Sequence, residues 1–219
     1  MARRSLKRPM FVIAASALVV AFAAVSLASA SNMAFKLNKQ IWALGGGSKG
    51  RNLVALPARS PYQGAGGLTR LCTALGLSTN GQVQLFTGTG TIYTYICGTV
   101  ETFQLLDGKG MIISDTADRN GILVGSDVPG KTIRIEDLGA SPVGTNLFPV
   151  DYHTTAVNPQ DLCNQCLLSP TATITRFDAQ AGVVNVHVCG QVPLWNLVLG
   201  EAVMILEDNG PKVCSPSHF

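Results

Sequence analysis

The chain has 219 residues and a formal charge of +3, with 47% hydrophobic and 13% charged residues. Disordered chains show the opposite balance, low hydrophobicity with high net charge. Arg3, Arg4, Lys7 and Arg8 carry the positive excess; without them twelve dispersed basic residues face thirteen acidic ones, a formal −1 that excludes the clustered basic surface of a nucleic-acid binder.

Residues 1–30 read as a signal peptide. The four basic residues precede an apolar run from Met10 that closes on Ala28-Ser29-Ala30, the small-x-small pattern of a cleavage site. Cleavage there starts the mature chain at Ser31. A retained anchor is the alternative, since the run is near the roughly 20 residues of a membrane span. Its Ala and Ser content and the cleavage pattern favour removal.

The next elements are short strands. They are predicted over Phe35–Leu37, Asn52–Leu56, Val83–Thr87, Thr91–Cys97, Thr102–Leu106, Met111–Ser114, Ile122–Val124 and Ile133–Glu136. Thr91–Cys97 alternates Ile92, Thr94 and Ile96 against Tyr93, Tyr95 and Cys97, the period-two pattern of a half-buried strand. Val183–Cys189 does the same with Val184, Val186 and Val188 against Asn185, His187 and Cys189. Asn80-Gly81, Asp107-Gly108, Asn120-Gly121 and Asn209-Gly210 read as turns. Gly45–Gly50 reads as a loop and not a phosphate cradle, because Ser48-Lys49 stand in the wrong order and lead into a strand. Helices are predicted over Leu68–Leu75, ended by Gly76, and from Asn158-Pro159-Gln160-Asp161, where Asn158 caps and Pro159 takes the first position.

These elements repeat. Asn52-Leu53-Val54 matches Asn146-Leu147-Phe148, Leu71-Cys72 matches Leu162-Cys163, and Val83-Gln84-Leu85-Phe86 matches Ile174-Thr175-Arg176-Phe177. Cys97-Gly98 matches Cys189-Gly190, and Gly108–Ile113 matches Gly200–Ile205, at offsets between 91 and 94. A fixed period with conserved order is the signature of duplication. The expected fold is mainly β: repeat 1 over 31–130 and repeat 2 over 131–219, tandem homologous β-sandwich or small-barrel domains with one short helix each, their boundary near Val128-Pro129-Gly130.

Six cysteines in an exported chain imply disulfides and an oxidising compartment. The duplication pairs Cys72 with Cys97 and Cys163 with Cys189, tying each helix to an alternating strand. Cys166 and Cys214 have no counterparts in repeat 1, which leaves them to each other as a staple for a tail weakened by Pro211 and Lys212.

Ser31-Asn32-Met33-Ala34-Phe35-Lys36-Leu37, followed by Asn52-Leu53-Val54-Ala55-Leu56-Pro57 and Leu71-Cys72, resembles a group of uncharacterised exported bacterial β-repeat proteins with an Asn-x-Val-x-Leu-Pro strand. The likeness covers most of repeat 1 and is weaker in repeat 2, where Pro149-Val150 replaces Leu-Pro. It implies export and a β-rich repeat, and no activity.

The residues with chemical potential have plainer readings. Cys163-Asn164-Gln165-Cys166 has redox or metal spacing, but lacks the βαβ setting and the second ligand pair. His187 and Cys189 sit two apart on a strand, about 7 Å, too far for proton transfer. His153 and His218 are expected in solvated segments. Asp115, Asp118 and Asn120, with Glu207, Asp208 and Asn209 in repeat 2, lack the ligands of a calcium loop. No catalytic residue, cofactor or metal is therefore expected. The first functional reading is a non-catalytic structural or protein-interaction module of the cell envelope or secreted space, whether periplasmic, secreted or surface-held, with a protein or envelope partner. The alternative is a carbohydrate or small-ligand binding protein using the Tyr93/Tyr95 sheet face or an inter-domain cleft. A thiol or metal enzyme would require a free thiol or a bound metal.

Overall fold

The computed structural model describes residues 35–106, 109–126, 128, 131–137 and 145–217. The expected signal peptide, the start at Ser31, the Asp107-Gly108 turn, Pro129-Gly130 at the boundary and His218 lie outside them. Among the described residues no helix is long and apolar enough to cross a membrane.

The first copy runs β1 (Phe35–Ile41), β2 (Asn52–Ala55), α1 (Gly67–Leu75), β3 (Gln82–Phe86), β4 (Ile92–Ile96), β5 (Gly110–Ser114) and β6 (Arg119–Gly125). The second runs β7 (Ile133–Ile135), β8 (Asn146–Pro149), α2 (Pro159–Gln165), β9 (Thr173–Asp178), β10 (Val183–Val188), β11 (Ala202–Leu206) and β12 (Lys212–Cys214). Each copy builds a four-stranded antiparallel sheet, β2-β5-β3-β4 and β8-β11-β9-β10, and a two-stranded ribbon, β1-β6 and β7-β12. The strand order is the same in both, so β4 and β10 are the outer strands of equivalent sheets.

Helix α1 places Leu68, Leu71, Cys72 and Leu75 on one stripe, the spacing of a helix that buries a single face. That stripe lies on the sheet's inner face, against Val54, Val83, Tyr95, Met111 and Ile113, and the ribbon closes the side with Ile41 and Leu123. The second copy repeats this with Leu162 and Cys163 against Phe148, Ile174, Val203 and Ile205, and Ile133 and Ile135 from the ribbon. Asn158 starts α2 with a capping box: its side chain accepts from Asp161 N, and the Asp161 carboxylate accepts from Asn158 N.

The outer faces of the two sheets meet. Leu53, Ile112, Leu147 and Ala202 form a buried cluster, flanked by Phe86, Phe177 and Met204. Leu53 and Leu147, Phe86 and Phe177, and Ile112 and Met204 are equivalent pairs, so the interface has the self-complementary form of a two-fold contact. Gly110 lets the sheets approach: a Cβ there would lie 2.7 Å from Leu147 O and 2.8 Å from Ala202 Cβ. Burying each of the Leu and Ile side chains contributes about 2 kcal/mol. The described residues consequently form one unit, a sandwich of two sheets with a helix on each outside, and among them no sheet closes into a barrel.

Two predicted elements differ. Thr102–Leu106 is not a strand. Phe103 is half-buried and Leu105 buried, while Thr102 and Gln104 point out. The alternation records a loop laid on the core, Phe103 stacking on Tyr93 at 5.3 Å, and not pairing. Asn120-Gly121 is not a turn either: both residues lie inside β6, opposite Gln40 and Lys39. Gly121 is required by packing, since a Cβ would sit 2.4 Å from Leu75 Cα of α1.

Candidate functional site

The cysteines are consumed structurally. Disulfides join Cys72 to Cys97, Cys163 to Cys189 and Cys166 to Cys214, and no free cysteine stands among the described residues. Both cysteines of Cys163-Asn164-Gln165-Cys166 are thus unavailable as thiols. Three disulfides in one chain mark a non-reducing, extracellular-type environment.

Buried polar groups come in equivalent pairs as well. Tyr95 OH lies 3.1 Å from Thr69 Oγ1 on α1, and His187 Nε2 lies 3.0 Å from Gln160 Oε1 on α2. Each pair links the helix to the outer strand. Burial lowers the His187 pKa and keeps the ring neutral. His153 packs edge-on against Tyr152. Asp115 is 1% exposed and accepts from Ser78 N, Ser78 Oγ, Arg119 Nε and Thr116 N. Burial alone would raise its pKa, but these donors outweigh it and hold the group at about 2. Glu207, fully buried, accepts from Ser169 N, Asp208 N and Asn209 N in the equivalent loop. Asp118 accepts from Ala43 N. These carboxylates brace loops, and no group of three His, Cys, Asp or Glu among the described residues is placed to hold a metal.

The Tyr93/Tyr95 platform does not form. Tyr95 is 1% exposed and belongs to the core, and Tyr93 leans on Phe103. Cys97 must reach Cys72 on α1, which carries Tyr95 of the same parity into the core, while Tyr93 stays 41% exposed against Phe103; the opposite face of β4 is Ile92, Thr94 and Ile96. In β10 it is Val184, Val186 and Val188.

These two strands are open on their far side. Among the described residues β4 pairs only with β3, and β10 only with β9. Thr87 N donates to Thr91 O, Cys97 N to Gly81 O and Cys189 N to Ala172 O, which fixes the phase of both ladders. By that phase the N–H and C=O of Ile92 and Thr94, and of Val184 and Val186, point away from the sheet. Neither strand contains a charge or a proline. Ile92 is 54% and Val186 56% exposed, so the uncovered apolar faces run on from the buried inter-copy cluster.

A second feature is a polar cleft between the copies, about 190 Å³ in volume, beside Lys39, Trp42, Arg176, Asp178, Gln180 and Glu201. Glu201 takes Arg176 Nε at 2.9 Å and Lys39 Nζ at 3.6 Å. Burial pushes the Lys39 ammonium below its ordinary pKa, against the pull of Glu201. The Gly45–Gly50 loop closes one end through Gly50 N donating to Ala179 O. None of these residues stands out in a motif. The available signal was a break in the repeat, where Arg176 matches Leu85.

No known protein family, curated protein or solved structure matches this chain.

Proposed function

We propose that the mature chain is an exported, non-catalytic structural module of the cell envelope or secreted space that assembles with further copies of itself through β4 and β10. The observation that carries this reading is the pair of open, uncharged edges. An exposed edge strand is a template for another strand, and proteins that stay apart blunt it with lysine, proline or bulges. None of these three is present in β4 or β10. The fitting partner strand is extended, uncharged and β-branched, which is what a second copy offers. Because each chain carries two equivalent edges, the contact propagates along a line and does not close at a dimer. The three disulfides and the signal segment support a periplasmic, secreted or surface location.

Sedimentation of residues 31–219 tests this. The unaltered chain forms species larger than a dimer as concentration rises. Thr94→Lys alone stops growth at the dimer, and Thr94→Lys with Val186→Lys gives monomer. A monomer at every concentration up to about 1 mM, a weak-contact scale, overturns the reading.

A further inference from the structure

The cleft between the copies has a built-in control, because the duplication makes an equivalent place on the other side of the two-fold. Asn52 bonds Trp42 N and O, and Asn146 bonds Glu136 N and O, which sets Trp42 against Glu136 and Lys39 against Ile133. The sequence repeat sets Arg176 against Leu85, Ala179 against Gly88 and Glu201 against Lys109. The equivalent place is closed: a Cβ on Gly88 would lie 2.4 Å from Glu136 Cγ and 2.9 Å from Asn146 Oδ1. Ile133 and Leu85 are buried there. Close packing with two charges, Glu136 and Lys109, in place of the four of the cleft is thus sufficient to join the copies. Holding half-buried charges around an open space costs desolvation that a purely structural contact has no need to bear.

From this asymmetry we infer that the cleft beside Lys39, Trp42, Arg176, Asp178, Gln180 and Glu201 is a binding site for a single neutral sugar ring. The size permits it: the cleft holds about 190 Å³ and opens to solvent, so one six-membered ring can enter with part of its hydroxyls outside. The charges fit: Lys39 and Arg176 against Glu201 and Asp178 sum to zero, which favours an uncharged polar ligand over a phosphate or carboxylate. The hydrogen-bonding chemistry also fits. Arg176 spends Nε on Glu201 and keeps further N–H donors, while the carboxylates and the Gln180 amide add acceptors. Donors and acceptors side by side match vicinal hydroxyls, each of which both gives and accepts. Trp42 lines the cleft, and in this proposal its indole meets the ring's C–H face. This site is separate from β4 and β10 and stands independently of the assembly reading.

The test is a titration of residues 31–219 with the methyl glycosides of glucose, galactose, mannose and N-acetylglucosamine, followed by NMR at the Trp42 indole and Arg176 guanidinium. At least one glycoside gives saturable shifts at both. Copying the closed side, Lys39→Ile with Arg176→Leu and Glu201→Lys, weakens binding at least about tenfold. Gln180→Ala, at an exposed position that leaves the fold intact, weakens it about threefold, the loss of one modest hydrogen bond. Thr94→Lys with Val186→Lys leaves it unchanged, which separates this site from the edges. No saturable shift with any glycoside up to about 50 mM, saturation by citrate or phosphate alone, or unweakened binding by Gln180→Ala overturns the proposal.

Discussion

Asn52 and Asn146 make the same buried clip in the two copies: Asn52 Nδ2 donates to Ile113 O at 3.0 Å, and Asn146 Nδ2 to Ile205 O at 3.2 Å. Each also bonds the backbone just beyond the ribbon strand, Asn52 at Trp42 and Asn146 at Glu136. One side chain therefore joins a central strand of the sheet to the ribbon, through a buried bond on the sheet side. Asn52→Leu leaves several buried backbone groups unpaired, at about 1–3 kcal/mol each before relaxation. We expect a loss of about 3 kcal/mol by chemical denaturation, and a loss under about 1 kcal/mol contradicts the clip.

Asp115 makes stability depend on acid. Its folded pKa is about 2, below the ordinary carboxylate value of about 3.9. A depressed folded pKa gives stability that is complete above the unfolded value and lost as pH falls through the folded one. The window therefore runs from about pH 4 down to about pH 2, and the loss is about 2 kcal/mol. Denaturation of the native chain and Asp115→Asn between pH 6 and pH 2 reads it: the native chain loses the larger amount. Parallel pH profiles contradict the assignment.

The tail is held by one short ladder, one disulfide and the hydrogen bonds of Ser217 to Thr155 and Gln165. β12 pairs with β7 over Lys212–Cys214, Val213 is exposed, and Cys214 is fully buried in its disulfide to Cys166. A cross-link closing a loop of this length stabilises by about 4 kcal/mol in the chain-entropy account. Replacing Cys166 and Cys214 by Ser should speed amide exchange after Gly210 first, with the first copy unchanged. Equal loosening of both copies, or none, shows that the tail is held otherwise.

The duplication, most strands and the helix starts were legible because they rest on local pattern and on order along the chain. The Cys72–Cys97 and Cys163–Cys189 partners follow from the same repeat. Three features were not legible, each because a distant contact decided it. Thr102–Leu106 alternates like a strand, yet alternation reports which side chains are buried, and a loop on Tyr93 satisfies it as well as a ladder does. Gly121 looks like half of a turn, but its missing Cβ serves the approach of Leu75. Tyr93 and Tyr95 look like a platform until Cys97 is tied to α1, which turns Tyr95 into the core and leaves Tyr93 against Phe103. The cleft was hidden for the opposite reason: Lys39, Arg176 and Glu201 are far apart in sequence, and only the stacking of the two copies brings them together.

The claim that β4 and β10 are assembly edges is tested most directly by amide exchange at Ile92, Thr94, Val184 and Val186. In residues 31–219 these four N–H groups should exchange rapidly at about 1 μM, where chains are apart, and become at least about 100-fold slower at about 1 mM, with Thr94→Lys and Val186→Lys abolishing the change. Rapid exchange of all four at every concentration, while Val83 and Ile174 on the inner strands stay protected, would contradict the account.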